Sequence, residues 1–273
     1  MALLRIIWVI IVFAILTIVT QAGGVIYLFS FATHKFINNK TSNKYFRGLC
    51  KLVSFLIIYC IMAFALLPMI AKPFGRVALP VFESNRLQPQ NILTCFLNRH
   101  YVNPLLRKAA FDAAQQMNEK HPNTILNYLD ANFPFINGFP LFPHLSHDDG
   151  KKLDISFCYI DNKTGDETNN CPSFIGYGIC EEPRPDEKNT AEFCRKNWQY
   201  SFLRAIVPQG NKKNFRFDSI RTKELVNLFA FSKAINKIFI EPHLKARLSL
   251  FSEKIRFHGC RAVRHDDHIH IQL

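Results

Sequence analysis

The chain closes on His265-Asp266-Asp267-His268-Ile269-His270-Ile271-Gln272-Leu273, and the reading of this stretch decides the rest. From His268 onward polar and apolar residues alternate, the period of a half-buried strand. His268, His270 and Gln272 then share one face, while Ile269, Ile271 and Leu273 face a core. Two imidazoles two positions apart on a strand project to the same side. One of them can bind a metal ion while the other points at water or substrate.

A partner for this strand is found about a hundred residues upstream, in Ser146-His147-Asp148-Asp149-Gly150-Lys151-Lys152-Leu153-Asp154. Leu153–Ile160 also alternates, with Asp154, Ser156 and Cys158 on one face and Ile155, Phe157 and Tyr159 on the other. His147 falls on a loop, and Gly150 allows the backbone to turn between it and the strand. His144, His147, His265, His268 and His270 make up half of the ten histidines of the chain. A catalytic zinc ion takes three protein ligands from imidazole and carboxylate and keeps a fourth position for water, whereas structural zinc favours four ligands and cysteine. No C-x-x-C occurs. One carboxylate with two imidazoles leans towards a catalytic ion, and His/Asp ligation suits zinc best.

Around these two strands the pattern is mixed. Asn103–Glu119 carries a mostly apolar stripe, with Pro104 at a first-turn position. Thr124–Leu129 is predicted as a strand, Asn132–Pro143 as an ordered loop, Asp161–Asn197 as a long polar excursion and Arg221–Ile238 as a helix. Ile238–Ile240 is short and apolar, and Pro242 starts a further helix. No regular βαβ alternation is present, so the fold class is α+β. The expected domain spans 101–273, and 72–100, rich in proline at its start, is a linker and approach segment.

The first 71 residues have a different character. Leu3–Phe31 and Leu52–Ala71 are each long and apolar enough to cross a bilayer, which takes about 20 residues, and residues 1–71 read as an anchor of two transmembrane helices. This stretch has six Lys and Arg and no acid, and the remainder has 28 against 21 acids, to a net +13. Lys35, Lys40, Lys44, Arg47 and Lys51 lie between the two apolar runs and argue for a cytoplasmic loop. Both the N-terminus and the domain are then expected on the opposite side of the membrane. The other basic residues are scattered, without a basic helix or an aromatic platform, which argues against nucleic acid as a partner. Cys95, Cys158, Cys171, Cys180, Cys194 and Cys260 suit disulfides in an exported domain, with a staple expected within Cys171–Cys180–Cys194. The sequence does not fix an oligomeric state.

Ser-His-x-x-Gly-x-x-x-Asp, followed near the C-terminus by His-x-x-His-x-His, resembles the penicillin-insensitive murein endopeptidases, within the lysostaphin, D-Ala-D-Ala peptidase and hedgehog-like group of zinc domains. The matching residues are Ser146, His147, Gly150 and Asp154, then His265, His268 and His270, and the resemblance covers roughly residues 133–273. It implies a small antiparallel sheet under the metal, with His147, Asp154 and His270 as zinc ligands. It also implies His268 as base or transition-state stabiliser and His265 as a second polar group at the site. Asp267 stands where some relatives use the glutamate of E-x-x-H, which favours a histidine base. The implied substrates are peptide cross-links of peptidoglycan. The implied location is the bacterial inner membrane, with the domain facing the periplasm or cell exterior. A D,D-carboxypeptidase and a non-catalytic zinc-binding recognition domain are alternatives on the same scaffold. For the former, Arg107 and Arg264 are the candidate cations for a terminal carboxylate. A transport or sensor role draws little from two spans without buried charge.

Overall fold

The computed structural model describes residues 2–82 and 86–273. Its centre is a sheet of six strands: β1 Leu87–Pro89, β2 Leu126–Tyr128, β3 Lys152–Ser156, β4 Lys237–Phe239, β5 Ile255–Arg256 and β6 His268–Gln272. They lie side by side in the order β5-β4-β6-β3-β2-β1. The β4–β6, β6–β3 and β3–β2 pairs are antiparallel, and the outer pairs β5–β4 and β2–β1 are parallel. The mixed helix-and-sheet composition agrees with the expected class. The small antiparallel sheet does not: the sheet is larger and mixed, because two edge strands too short to show alternation extend it on either side. One of these, β1, lies within 72–100. That segment is no free linker, since Leu79, Leu87 and Cys95 are fully buried.

The alternation in β6 and β3 sorts the sheet into two faces. Ile269, Ile271, Leu153 and Ile155 are buried in one cluster with Leu106, Ala110 and Met117 of helix Pro104–Lys120 and with Leu225 and Phe229 of helix Ser219–Phe231. Each buried aliphatic side chain contributes about 1.5–3 kcal/mol. Both helices start on side-chain caps. Asn103 accepts from Leu105 N–H just before Pro104, and Asp218 accepts from the N–H groups of Ile220 and Arg221. The excursion after β3 forms a three-stranded sheet with Tyr159–Asp161 at its centre, flanked by Glu167–Thr168 and Phe215–Phe217. A disulfide joins Cys194 to Cys260, and Cys95, Cys158, Cys171 and Cys180 are buried free thiols. The staple therefore ties the excursion to the loop before β6 rather than closing within Cys171–Cys194.

The N-terminal region departs most from expectation. The first apolar run is not one span. Its helix ends at Thr20, Gln21 takes φ +63°, and a second helix, Gly23–Ser30, turns back along the first. A Cβ on Gly24 would lie 2.6 Å from the Phe13 carbonyl oxygen and closer still to Thr17, so the Gly23-Gly24 pair is what lets the two helices touch. Helical turns continue through His34–Lys40, Thr41–Asn43 reverses the chain again, and helix Lys44–Ile61 leads through a π-helical turn at Met62–Leu66 to Ile70. The two helices long and apolar enough to span a membrane are Ala2–Thr20 and Lys44–Ile70.

After two reversals these helices run in the same direction, and both meet the domain towards their C-terminal ends. Asn98 Nδ2 donates to the Thr20 carbonyl, and Tyr59 donates to the Phe96 carbonyl. The N-terminus accordingly points away from the domain, whereas the sequence reading puts the two together. Arg5 lies on the helix end that leads away from the domain, as the basic turn does. Gln21 accepts from Phe135 N–H at 2.8 Å, and Ala22, Ile26, Tyr59, Ala63, Leu67 and Ala71 share a buried cluster with Tyr101.

Candidate metal centre

Strand register builds the site. In the β6–β3 pair His270 stands directly opposite Asp154 and His268 opposite Ser156, so His270, Asp154 and His268 share the face away from the helices. The loop between β2 and β3 brings His147 over this face. Its return to β3 needs Gly150, whose φ is +79° and whose α-carbon packs against the Arg76 guanidinium, where any Cβ would collide. Asn132 secures the turn by accepting from Gly150 N–H at 2.9 Å.

His147, Asp154 and His270 are buried, and each offers one donor atom within 4.8 Å of the others. His270 Nδ1 lies 2.8 Å from Asp154 Oδ1, His147 Nε2 lies 3.3 Å from the same oxygen, and the two ring nitrogens are 3.1 Å apart. Three corners of a tetrahedron with zinc bond lengths lie about 3.3 Å apart, so the spacing fits a single small ion. The tautomer of His147 fits as well. His147 Nδ1 donates to the Ala131 carbonyl at 2.6 Å, which leaves Nε2 with its lone pair. Burial holds His270 down to about 3, and therefore neutral at pH 7. Burial alone would raise Asp154, but the imidazoles of His147 and His268 outweigh it and hold the carboxyl well below its usual range.

The expected auxiliary histidines are close by. His268 Nδ1 is hydrogen-bonded to the Asp267 carboxylate, and its Nε2 lies 3.7 Å from Asp154 Oδ2 without a hydrogen-bond partner among the described residues. Burial lowers its basicity, but Asp154 and Asp267 prevail and push it up to about 9. A dication on the neighbouring ligands acts in the opposite sense. The His265 ring is 4.9 Å from His268 and 5.6 Å from His270. Above the three donors lies a cavity of about 340 Å³ whose walls include His147, His258, Arg261, His265 and His270.

Several supporting roles escaped sequence reasoning. Tyr177 donates to Asp154 Oδ2 at 2.7 Å and accepts from Asp130 N–H at 2.9 Å. It comes from the excursion after β3, and nothing in its local sequence marks it. His144 is paired with Asp130, which Arg99 also holds, at 2.9 and 2.7 Å. His258 stacks on Phe239 at 4.1 Å. The two arginines expected to meet a carboxylate are committed elsewhere: Arg264 to Asp266 and Glu182, Arg107 to the Ala78 carbonyl. Arg261 is the exposed cation that lines the cavity. No protein-family model matches the chain, and no curated protein is similar to it.

Proposed function

We propose that this protein is a membrane-anchored zinc peptidase that hydrolyses peptide cross-links of peptidoglycan. The observation that carries the reading is the meeting of His147, Asp154 and His270, from a loop and two neighbouring strands, beneath an open cavity. A zinc ion held by these three supplies Lewis-acid chemistry, polarising a carbonyl and bringing the pKa of water towards about 7. Tyr177 and Ala131 fix the ligands in orientation. Asp267 holds His268 by Nδ1 and leaves its Nε2 3.7 Å from Asp154 Oδ2, beside the candidate ligands, where it would accept a proton or, as a cation, steady the developing oxyanion. His265 and His258 line the same cavity and are available to hold the substrate. The helices carry the basic turn at the end away from the domain, which supports an inner-membrane protein with its catalytic domain on the periplasmic side.

The test is metal analysis of the full chain in detergent, with digestion of cross-linked muropeptides read by mass. Zinc at one per chain is expected, with hydrolysis that a chelator abolishes and that His268→Ala removes while the metal stays bound. A zinc-loaded protein that leaves every muropeptide intact refutes the peptidase. If it also tolerates His268→Ala in the cell, the recognition domain replaces it. Arg261 favours a second reading. A cation at the cavity wall without an ion pair among the described residues suits a substrate's terminal carboxylate, and release of free D-alanine in place of cross-link cleavage identifies a D,D-carboxypeptidase.

A further inference from the structure

Helix Trp198–Ile206 is amphipathic, with its apolar side turned outward. Trp198, Phe202 and Ile206 recur at every fourth position, with Trp198 68% and Ile206 58% exposed, while Tyr200 faces inward and is buried. The stripe continues across the chain. The Phe202 ring meets that of Phe142 at 5.8 Å, and both Phe142 and Leu145 are about half exposed. Leu145 and Gln199 of this helix both line the cavity over the metal ligands, so the patch forms one lip of its mouth. A contiguous exposed apolar patch of this kind marks a surface that meets something other than water.

Its other end identifies the occupant. Leu203 of the same helix shares a second cavity with Leu93, which is half exposed on helix Ile92–Phe96. The carbonyl of Phe96 accepts the Tyr59 hydroxyl of the long apolar helix. The patch therefore lies between the part of the domain that the candidate spanning helices meet and the cavity mouth, with Arg99 and Asn91 also lining the second cavity. Lys196 and Arg261 border it, both exposed and without an ion pair among the described residues. Tryptophan and phenylalanine on one side of a short helix, flanked by cations, is the composition of a segment lying in a membrane–water interface.

We propose that helix Trp198–Ile206 lies on the bilayer surface, so that the cavity opens at the lipid boundary and takes peptide substrate held close to the membrane. The inference rests on the reading of Ala2–Thr20 and Lys44–Ile70 as membrane spans.

The chain's two tryptophans allow a direct test. Full-length Trp8→Phe protein, reconstituted in vesicles of zwitterionic lipid with a minority of anionic lipid, reports on Trp198 alone. A helix sunk about 5–10 Å into the headgroup boundary should lose about half or more of its emission when the acyl chains carry shallow bromines, and should resist aqueous iodide. Trp198→Phe protein, which keeps Trp8, reports independently on insertion of the first helix. Trp8 quenched by bromine with Trp198 open to iodide overturns the surface helix and leaves the membrane anchor intact. Trp198 shielded from iodide yet untouched by bromine means that a protein, or a second copy of this chain, covers the patch, and overturns it equally. Neither residue quenched overturns the anchor and this inference with it.

Discussion

Replacing Tyr177 by phenylalanine removes a single oxygen at the centre of the site's support. That hydroxyl donates to Asp154 Oδ2 and accepts from Asp130 N–H. Without it a buried backbone N–H loses its acceptor, at a cost of about 1–3 kcal/mol in stability. Asp154 meanwhile loses the donor that steadies the oxygen not facing His270. Partners of metal ligands typically govern metal affinity by about 10–100-fold, or roughly 1.4–2.8 kcal/mol. Zinc affinity, measured on the full chain by competition with a chromophoric chelator, should fall within that range. His147→Ala, which removes a ligand outright, should fall much further. A Tyr177→Phe protein that holds zinc within about twofold of the parent, while His147→Ala loses it, refutes the argument that this hydroxyl orients the carboxylate.

The Cys194–Cys260 bridge closes a loop of 66 residues, which the chain-entropy relation values at about 4 kcal/mol. Its reduction should lower the unfolding temperature, and an unchanged Tm with both thiols free counts against that role. Glu187 is paired with Arg247 at 2.5 Å, which holds the carboxyl down to about 2. A depressed folded pKa stabilises above the unfolded value, near 4.5, and the contribution fades as pH falls from there to about 2. Glu187→Gln should therefore cost stability at pH 6 and almost none at pH 2. Equal losses at both pH values in chemical denaturation rule out the ion pair as the cause. Gly24→Leu forces a side chain against the Phe13 carbonyl and should splay the first two helices. The expected readout is a lower Tm in detergent, against no change for Gly48→Leu, where the space is open.

The strand members of the donor set were legible because strands write their faces into the sequence with period two, whereas His147, on a loop, was assigned through the resemblance alone. His268 and His270 declare one side of β6, Asp154 declares its side of β3, and register does the remainder by setting His270 against Asp154. The hidden parts are those with no period. Tyr177 and His144 come from irregular chain, and only the folded loops reveal that they meet Asp154 and Asp130. β1 and β5 are three and two residues long, too short for alternation to appear, so the width of the sheet was unreadable. The apolar run at the N-terminus read as a single span because hydropathy does not register a chain reversal. The reversal rests on one left-handed residue, Gln21, and two glycines.

Gln21 also has an effect at a distance. It holds the backbone of Phe135 and Ile136. Two residues on, Gly138 N–H is bonded to the Asp148 carbonyl, next to the candidate ligand His147. The hairpin tip thus serves as the fixed end of the arm that carries one metal ligand. A shift of the helices, whether from bilayer thickness or from loss of the first seventy residues, reaches His147 through the short segment from Phe135 to Gly138 and the hydrogen bond from Gly138 to Asp148. A fragment freed of its helices would bare Tyr101 and lose the brace on that arm, and so should bind a metal ion more weakly than the intact protein.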